Sequence, residues 1–163
     1  DGVITDNSIY ILGYHGTATD VTIPTTINGK VVTYVDFTDS NNTVKSLKLG
    51  DGVKQCSLTI PVAENIDFGN GMENFLRGTF NVAPNIKTIT IGAGVKNFET
   101  NWCGTSDVYY PYFTNAILNI NKSLQDVSLV GTPLSQVNDI KHSMNYVASP
   151  TATTSFFAEI NFK

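Results

Sequence analysis

Four aromatic residues in one stretch, Trp102, Tyr109, Tyr110 and Tyr112, have the type best suited to chemistry with a partner. Their flat faces can stack on sugar rings or anchor a protein ligand. A long irregular insert also needs apolar side chains to bury, so the same residues fit core packing, and both readings stay open. His15 and His142 could act as bases near neutral pH. Neither stands near a nucleophile motif, because the chain holds no Gly-x-Ser-x-Gly and no His-Glu-x-x-His. No catalytic residue is assigned.

The other candidate sites reduce to structure. Asp36-Phe37-Thr38-Asp39-Ser40-Asn41-Asn42 is rich in oxygen donors, but a calcium site needs about six oxygens including a bidentate acid at a fixed offset, and none follows. An Asx-rich turn is expected there. Gly50-x-Gly52, Gly69-x-Gly71 and Gly92-x-Gly94 each resemble half a dinucleotide fingerprint. The third glycine is missing, so these glycines are expected to supply the bend after a strand. Cys56 and Cys103 have no histidine or second cysteine at ligand spacing, which argues against a metal. A bridge between them stays open. Asn41-Asn42-Thr43 and Asn121-Lys122-Ser123 are formal glycosylation acceptors, relevant only in a eukaryotic secretory route. Neither a cofactor nor a metal is expected.

What positions these residues is a repeat. Leu47-Lys-Leu49-Gly-Asp-Gly-Val53, Ile66-Asp-Phe68-Gly-Asn-Gly-Met72 and Ile89-Thr-Ile91-Gly-Ala-Gly-Val95 run in one register. Val44, Ala63 and Ile86 stand three positions before each strand, and Cys56, Phe75 and Phe98 nine positions after its start. A period-two core closed by a glycine turn, repeated, predicts short strands wound into stacked coils with one buried face. Weaker copies begin at Val21, Val127 and Ile160, so successive strand starts are 26, 19, 23, 38 and 33 residues apart. The step of 38 leaves room for one more strand, with Val108-Tyr-Tyr110 and Leu118-Asn-Ile120 as rivals.

The predicted fold is a mainly β repeat solenoid: a right-handed, leucine-rich-repeat-like stack of short parallel strands with little helix. Residues 1–163 form one domain, with a hairpin cap over 1–37 and irregular repeats over 38–163. Asn28-Gly29 between two β-rich runs marks the hairpin. One helix is suggested from Thr132, with Pro133 at its first position and Leu134, Val137, Ile140, Met144 and Val147 at helical spacing. If the strands stack in register, Thr22, Lys48, Asp67, Thr90, Ser128 and Asn161 form one outward row. Asp67 and Lys48 then neutralise each other across adjacent strands about 4.8 Å apart.

Gly13-Tyr14-His15-Gly16-Thr17-Ala18-Thr19-Asp20-Val21-Thr22-Ile23-Pro24 and Ile27-Asn28-Gly29-Lys30-Val31-Val32 closely resemble the opening module of BspA-like leucine-rich-repeat proteins. Phe75-Leu-Arg-Gly-Thr-Phe80 through Asn85-Ile86-Lys87-Thr88-Ile89-Thr90-Ile91 resembles that family's internal repeat, with Gly78-Thr79-Phe80 where an alanine-phenylalanine pair would fall. The resemblance implies a bacterial cell-surface or secreted protein without enzymatic activity, presenting its sheet for adhesion to a protein ligand on a host or neighbouring cell.

Composition is consistent with this. The 163 residues, 41% of them hydrophobic, can bury one sizeable core. With 15% charged residues and a net charge of −4, the chain lacks the concentrated Lys and Arg that nucleic acid requires. No apolar run reaches the roughly 20 residues that span a bilayer, so this segment is not expected to insert in a membrane. No leader opens the chain, and the expectation is a trimmed ectodomain, extracellular or on the cell surface. The alternative ligand is a glycan, bound by the aromatic insert 101–113. A third reading, a secreted polysaccharide-active enzyme on a parallel β-helix, would need clustered acids and bases that the sequence does not supply.

Overall fold

The computed structural model describes residues 2–4, 7–76, 78–81, 84–98, 102, 116–123 and 159–163. The φ-x-φ segments do become strands. β3 (Asp20–Ile23), β6 (Ser46–Leu49), β8 (Asn65–Asp67), β11 (Thr88–Ile91), β13 (Ile117–Ile120) and β14 (Glu159–Phe162) lie side by side in that order in one sheet. Every pairing in it is parallel. The register joins Val21, Leu47, Ile66, Ile89, Leu118 and Ile160. Leu47, Ile66, Ile89 and Leu118 are buried, so they form one inward column. The chain is a β-solenoid, and among the described residues it contains no helix.

The coils of β3, β6 and β8 contribute to a second sheet as well, where the repeat template expected one strand per coil. Beyond the glycine turns, Val35-x-Phe37 and Cys56-x-Leu58-x-Ile60 have a period of two and bury those residues. They lie in or at the end of β5 (Lys30–Thr38) and β7 (Gln55–Thr59), which pair in parallel between β2 (Ser8–Ile11) and β10 (Phe80–Asn81). β1 (Gly2–Ile4) closes one edge of this sheet by pairing antiparallel with β2. A third, two-stranded element pairs β9 (Asn74–Phe75) with β12 (Asn97–Phe98).

The expected hairpin is present between β4 (Thr26–Ile27) and β5, with Asn28 and Gly29 at φ of 50° and 77°. Both positive values suit the tight turn that matches strand twist. Around it the stack has already begun, since β2 pairs with β5 and β3 with β6 in parallel. Residues 1–37 therefore hold a hairpin inside the first coil.

The glycine turns serve mainly a different purpose from the one their bends suggest. Of the six glycines in the three pairs, Gly69 alone has a left-handed φ, at 62°. The others sit where coils touch backbone to backbone. A methyl group on Gly50 would lie 2.5 Å from the Thr25 nitrogen, and one on Gly94 would run into the Asn70 carbonyl. Absence of a side chain lets consecutive turns stack directly.

Inside, Phe68, Phe75, Phe98 and Trp102 make an aromatic column. Phe75 and Phe98, in register, stack with centroids 5.0 Å apart, and Trp102 meets Phe75 at 5.3 Å and Phe98 at 5.4 Å. Cys56 is buried, as its place in the repeat template predicts, and within its sheet it lies opposite Val35. The strand β7 pairs with β10, so the phenylalanine column is built by β9 and β12 without it.

Candidate binding face

Alternation along the first sheet sends every second residue outward. The outward row runs Thr22, Lys48, Asp67, Thr90, Asn119 and Asn161 in continuous register. Ser128 lies outside the described residues, and the place expected for it next to Asn161 is filled by Asn119. β13 pairs directly with β14, and the Asn161 Nδ2 donates to Asn119 Oδ1 at 3.1 Å. Of the two rivals for the extra strand, Leu118-Asn-Ile120 takes it. The signal was its clean alternation, which Val108-Tyr-Tyr110-Pro111 lacks.

A second outward row, Asp20, Ser46, Asn65 and Thr88, runs parallel to the first. Between the rows lies a groove of about 260 Å³. Hydroxyl, amide and carboxylate groups of both rows line it together with strand residues Val21, Leu47 and Ile66, and it carries one ion pair, Lys48 Nζ to Asp67 Oδ2 at 3.4 Å. The other Asp67 oxygen accepts from the Gly69 amide at 2.9 Å, which fixes the carboxylate in place.

Charge ladders flank the face. Glu64 pairs with Lys45 at 3.5 Å and with Lys87 on the other side. Glu73 pairs with Lys54 at 3.9 Å and Lys96 at 2.7 Å. The hydrogen bond and charge of Lys87 hold the Glu64 carboxyl below its ordinary range, and Lys96 does the same for Glu73. At the glycine corner, Asp51 Oδ1 accepts from the Asn70 amide at 2.9 Å and Asn70 Nδ2 at 3.1 Å, which pulls its pKa down. Asn70 Oδ1 in turn accepts from the Ala93 amide at 3.0 Å, so the ladder crosses three coils.

The remaining sequence candidates scatter. Trp102 is buried at 4% exposure and packs in the core, while Tyr109, Tyr110 and Tyr112 lie outside the described residues. Burial removes Trp102 from any exposed stacking platform. Cys56 is a free thiol whose pKa burial pushes up, which makes it inert. Asp39 is buried, and its Oδ2 accepts from the Thr43 amide at 2.7 Å and the Val44 amide at 2.8 Å. That is the Asx turn the sequence suggests. Asn41 uses its side-chain amide on the Gly16 carbonyl at 2.9 Å. His15 is exposed, and His142 lies outside the described residues. Compared with family models, curated proteins and solved structures, the chain matches none of them.

Proposed function

We propose that this chain is a non-enzymatic adhesion module, secreted or displayed on a bacterial cell surface, that binds a protein ligand along the outward face of its six-stranded sheet. One observation carries the reading: the two polar rows and the groove between them, a regular surface spanning several coils. Stacked repeats spread contact over such surfaces, which accounts for a ligand site with no motif. The leucine-rich-repeat and BspA-like resemblance belongs to the same proposal.

The electrostatics favour binding over catalysis. Asp51, Glu64 and Glu73 are all displaced downward and stay ionised near neutral pH. A general acid needs the opposite displacement. Lys48 and Asp67 are engaged with each other.

Adhesion of intact cells to a surface coated with the protein tests the proposal. Thr22→Arg with Thr90→Arg places two long side chains on the outward row, on either side of the Lys48–Asp67 pair. Wild-type protein is expected to retain cells, the double variant to lose retention with an unchanged circular dichroism spectrum, and protease treatment of the cells to abolish it. Equal retention by both proteins, or none by the wild type, overturns the reading.

A further inference from the structure

The second sheet turns a different chemistry outward. Alternation sends Ile9, Val32, Val35 and Cys56 into the core and leaves Tyr10, Tyr34, Asp36, Gln55 and Ser57 on the opposite face. Tyr10 lies opposite Tyr34, Tyr34 opposite Gln55, and Asp36 opposite Ser57. A register shift after Ile9 brings Tyr10 against Tyr34 instead of Thr33. The two rings meet edge to face with centroids 5.7 Å apart and planes at 61°. Tyr10 is 39% exposed, so its ring is open to solvent on this face.

We infer that this patch is a carbohydrate-binding site for a neutral pyranose of a β-linked polysaccharide. The apolar C–H face of such a sugar lies against the Tyr10 ring. Its equatorial hydroxyls, each both donor and acceptor, meet the Gln55 amide, the Ser57 hydroxyl and the Asp36 carboxylate along the strand-to-strand direction. A bound peptide would draw on an unpaired strand edge or a closed apolar pocket. Here the backbones of Tyr10 and Tyr34 are paired on both sides, so a peptide cannot add there as a further strand. Asp36 is the one charged group among the five outward side chains, which disfavours acidic sugars.

Retention on insoluble cellulose and chitin, with calorimetric titration of cellohexaose and chitohexaose, tests the site. Wild-type protein is expected to bind at least one of the two polymers. Tyr10→Ala is expected to weaken binding about tenfold, and Tyr10→Phe, which keeps the ring, to stay within about twofold of wild type. Circular dichroism checks that both variants keep the β spectrum. The Thr22→Arg, Thr90→Arg protein, blocked on the other sheet, is expected to bind sugar normally, so this site and the adhesion face fail separately. No binding of either polymer by wild type, equal binding by Tyr10→Ala, or loss of binding in the double arginine variant overturns the inference.

Discussion

Glu64 and Glu73 each sit between two lysines that the coils on either side contribute from the same place in the repeat as the glutamate they flank. Their folded pKa values lie below the ordinary 4.5, with Lys87 and Lys96 as the leading causes. The unfolded chain therefore binds protons more readily than the folded one as pH drops. Their contribution to stability is fully present above pH 4.5 and is lost as pH falls through the lower folded values. Asp51 acts in the same sense from its lower ordinary value of 3.8, through the Asn70 amide. Because these groups are exposed, salt weakens the ladders. Thermal melting followed between pH 7 and pH 3 should show a melting temperature that is steady near neutrality and declines in the acid range. In a Glu64→Gln, Glu73→Gln protein the decline should be shallower and the neutral melting temperature less sensitive to 1 M salt, an ionic strength at which screening reaches about 3 Å. An unchanged acid slope would mean that other carboxylates set it.

At the scale of the strand, two adjacent residues separate burial from charge. Leu47 is 2% exposed and points into the inward column, whereas Lys48 points out to a solvent-facing pair with Asp67. Leu47→Ala should cost about 2–5 kcal/mol, since it removes buried methylenes and leaves a cavity. Lys48→Ala should cost less than about 1 kcal/mol. Denaturant unfolding of the two variants measures the difference, and similar losses would contradict the alternation. The glycine corner permits a sharper test. Gly71 is packed under the carbonyls of Asp51 and Val53, without a left-handed φ. Gly71→Ala should destabilise by about 1–3 kcal/mol through forced displacement of the neighbouring coil, and a neutral result would show that bend geometry alone selects glycine there. Sequence alone disclosed the first sheet, because φ-x-φ followed by Gly-x-Gly repeats without error at Leu47, Ile66 and Ile89. It did not disclose the second, because β7 and β10 start from dissimilar residues, Gln55 and Phe80, at unequal distances from the turns. The outward row was legible from Thr22 to Thr90. It slipped at Ser128, where Val127-x-Leu129 and Leu118-x-Ile120 carry the same alternation and only the pairing of Leu118 with both Ile89 and Ile160 decides.

Across the whole molecule, stability comes from contacts between neighbouring coils. The inward column, the Asp51–Asn70–Ala93 ladder and the stacked rings of Phe75 and Phe98 each join one coil to the next. Such a stack behaves as a linear chain of nearest-neighbour couplings, in which an inner unit is held from two sides and an outer one from one. β8 is hydrogen-bonded to β6 and to β11, while β3 lies at an edge of the sheet with β6 as its one neighbour in it. Native-state hydrogen exchange should therefore be graded, with the amides of β6, β8 and β11 slowest and those of β3 faster. Phe75→Ala extends the argument, because Phe75 meets Phe68 in its own coil at 5.0 Å and Phe98 in the next. Losing that ring should cost about 3–5 kcal/mol, and the faster exchange it causes should reach β11 and β12 as well as β8. If acceleration stopped at β8, the coils would be folding units in their own right; spread across both coils would identify the stack itself as the unit that folds.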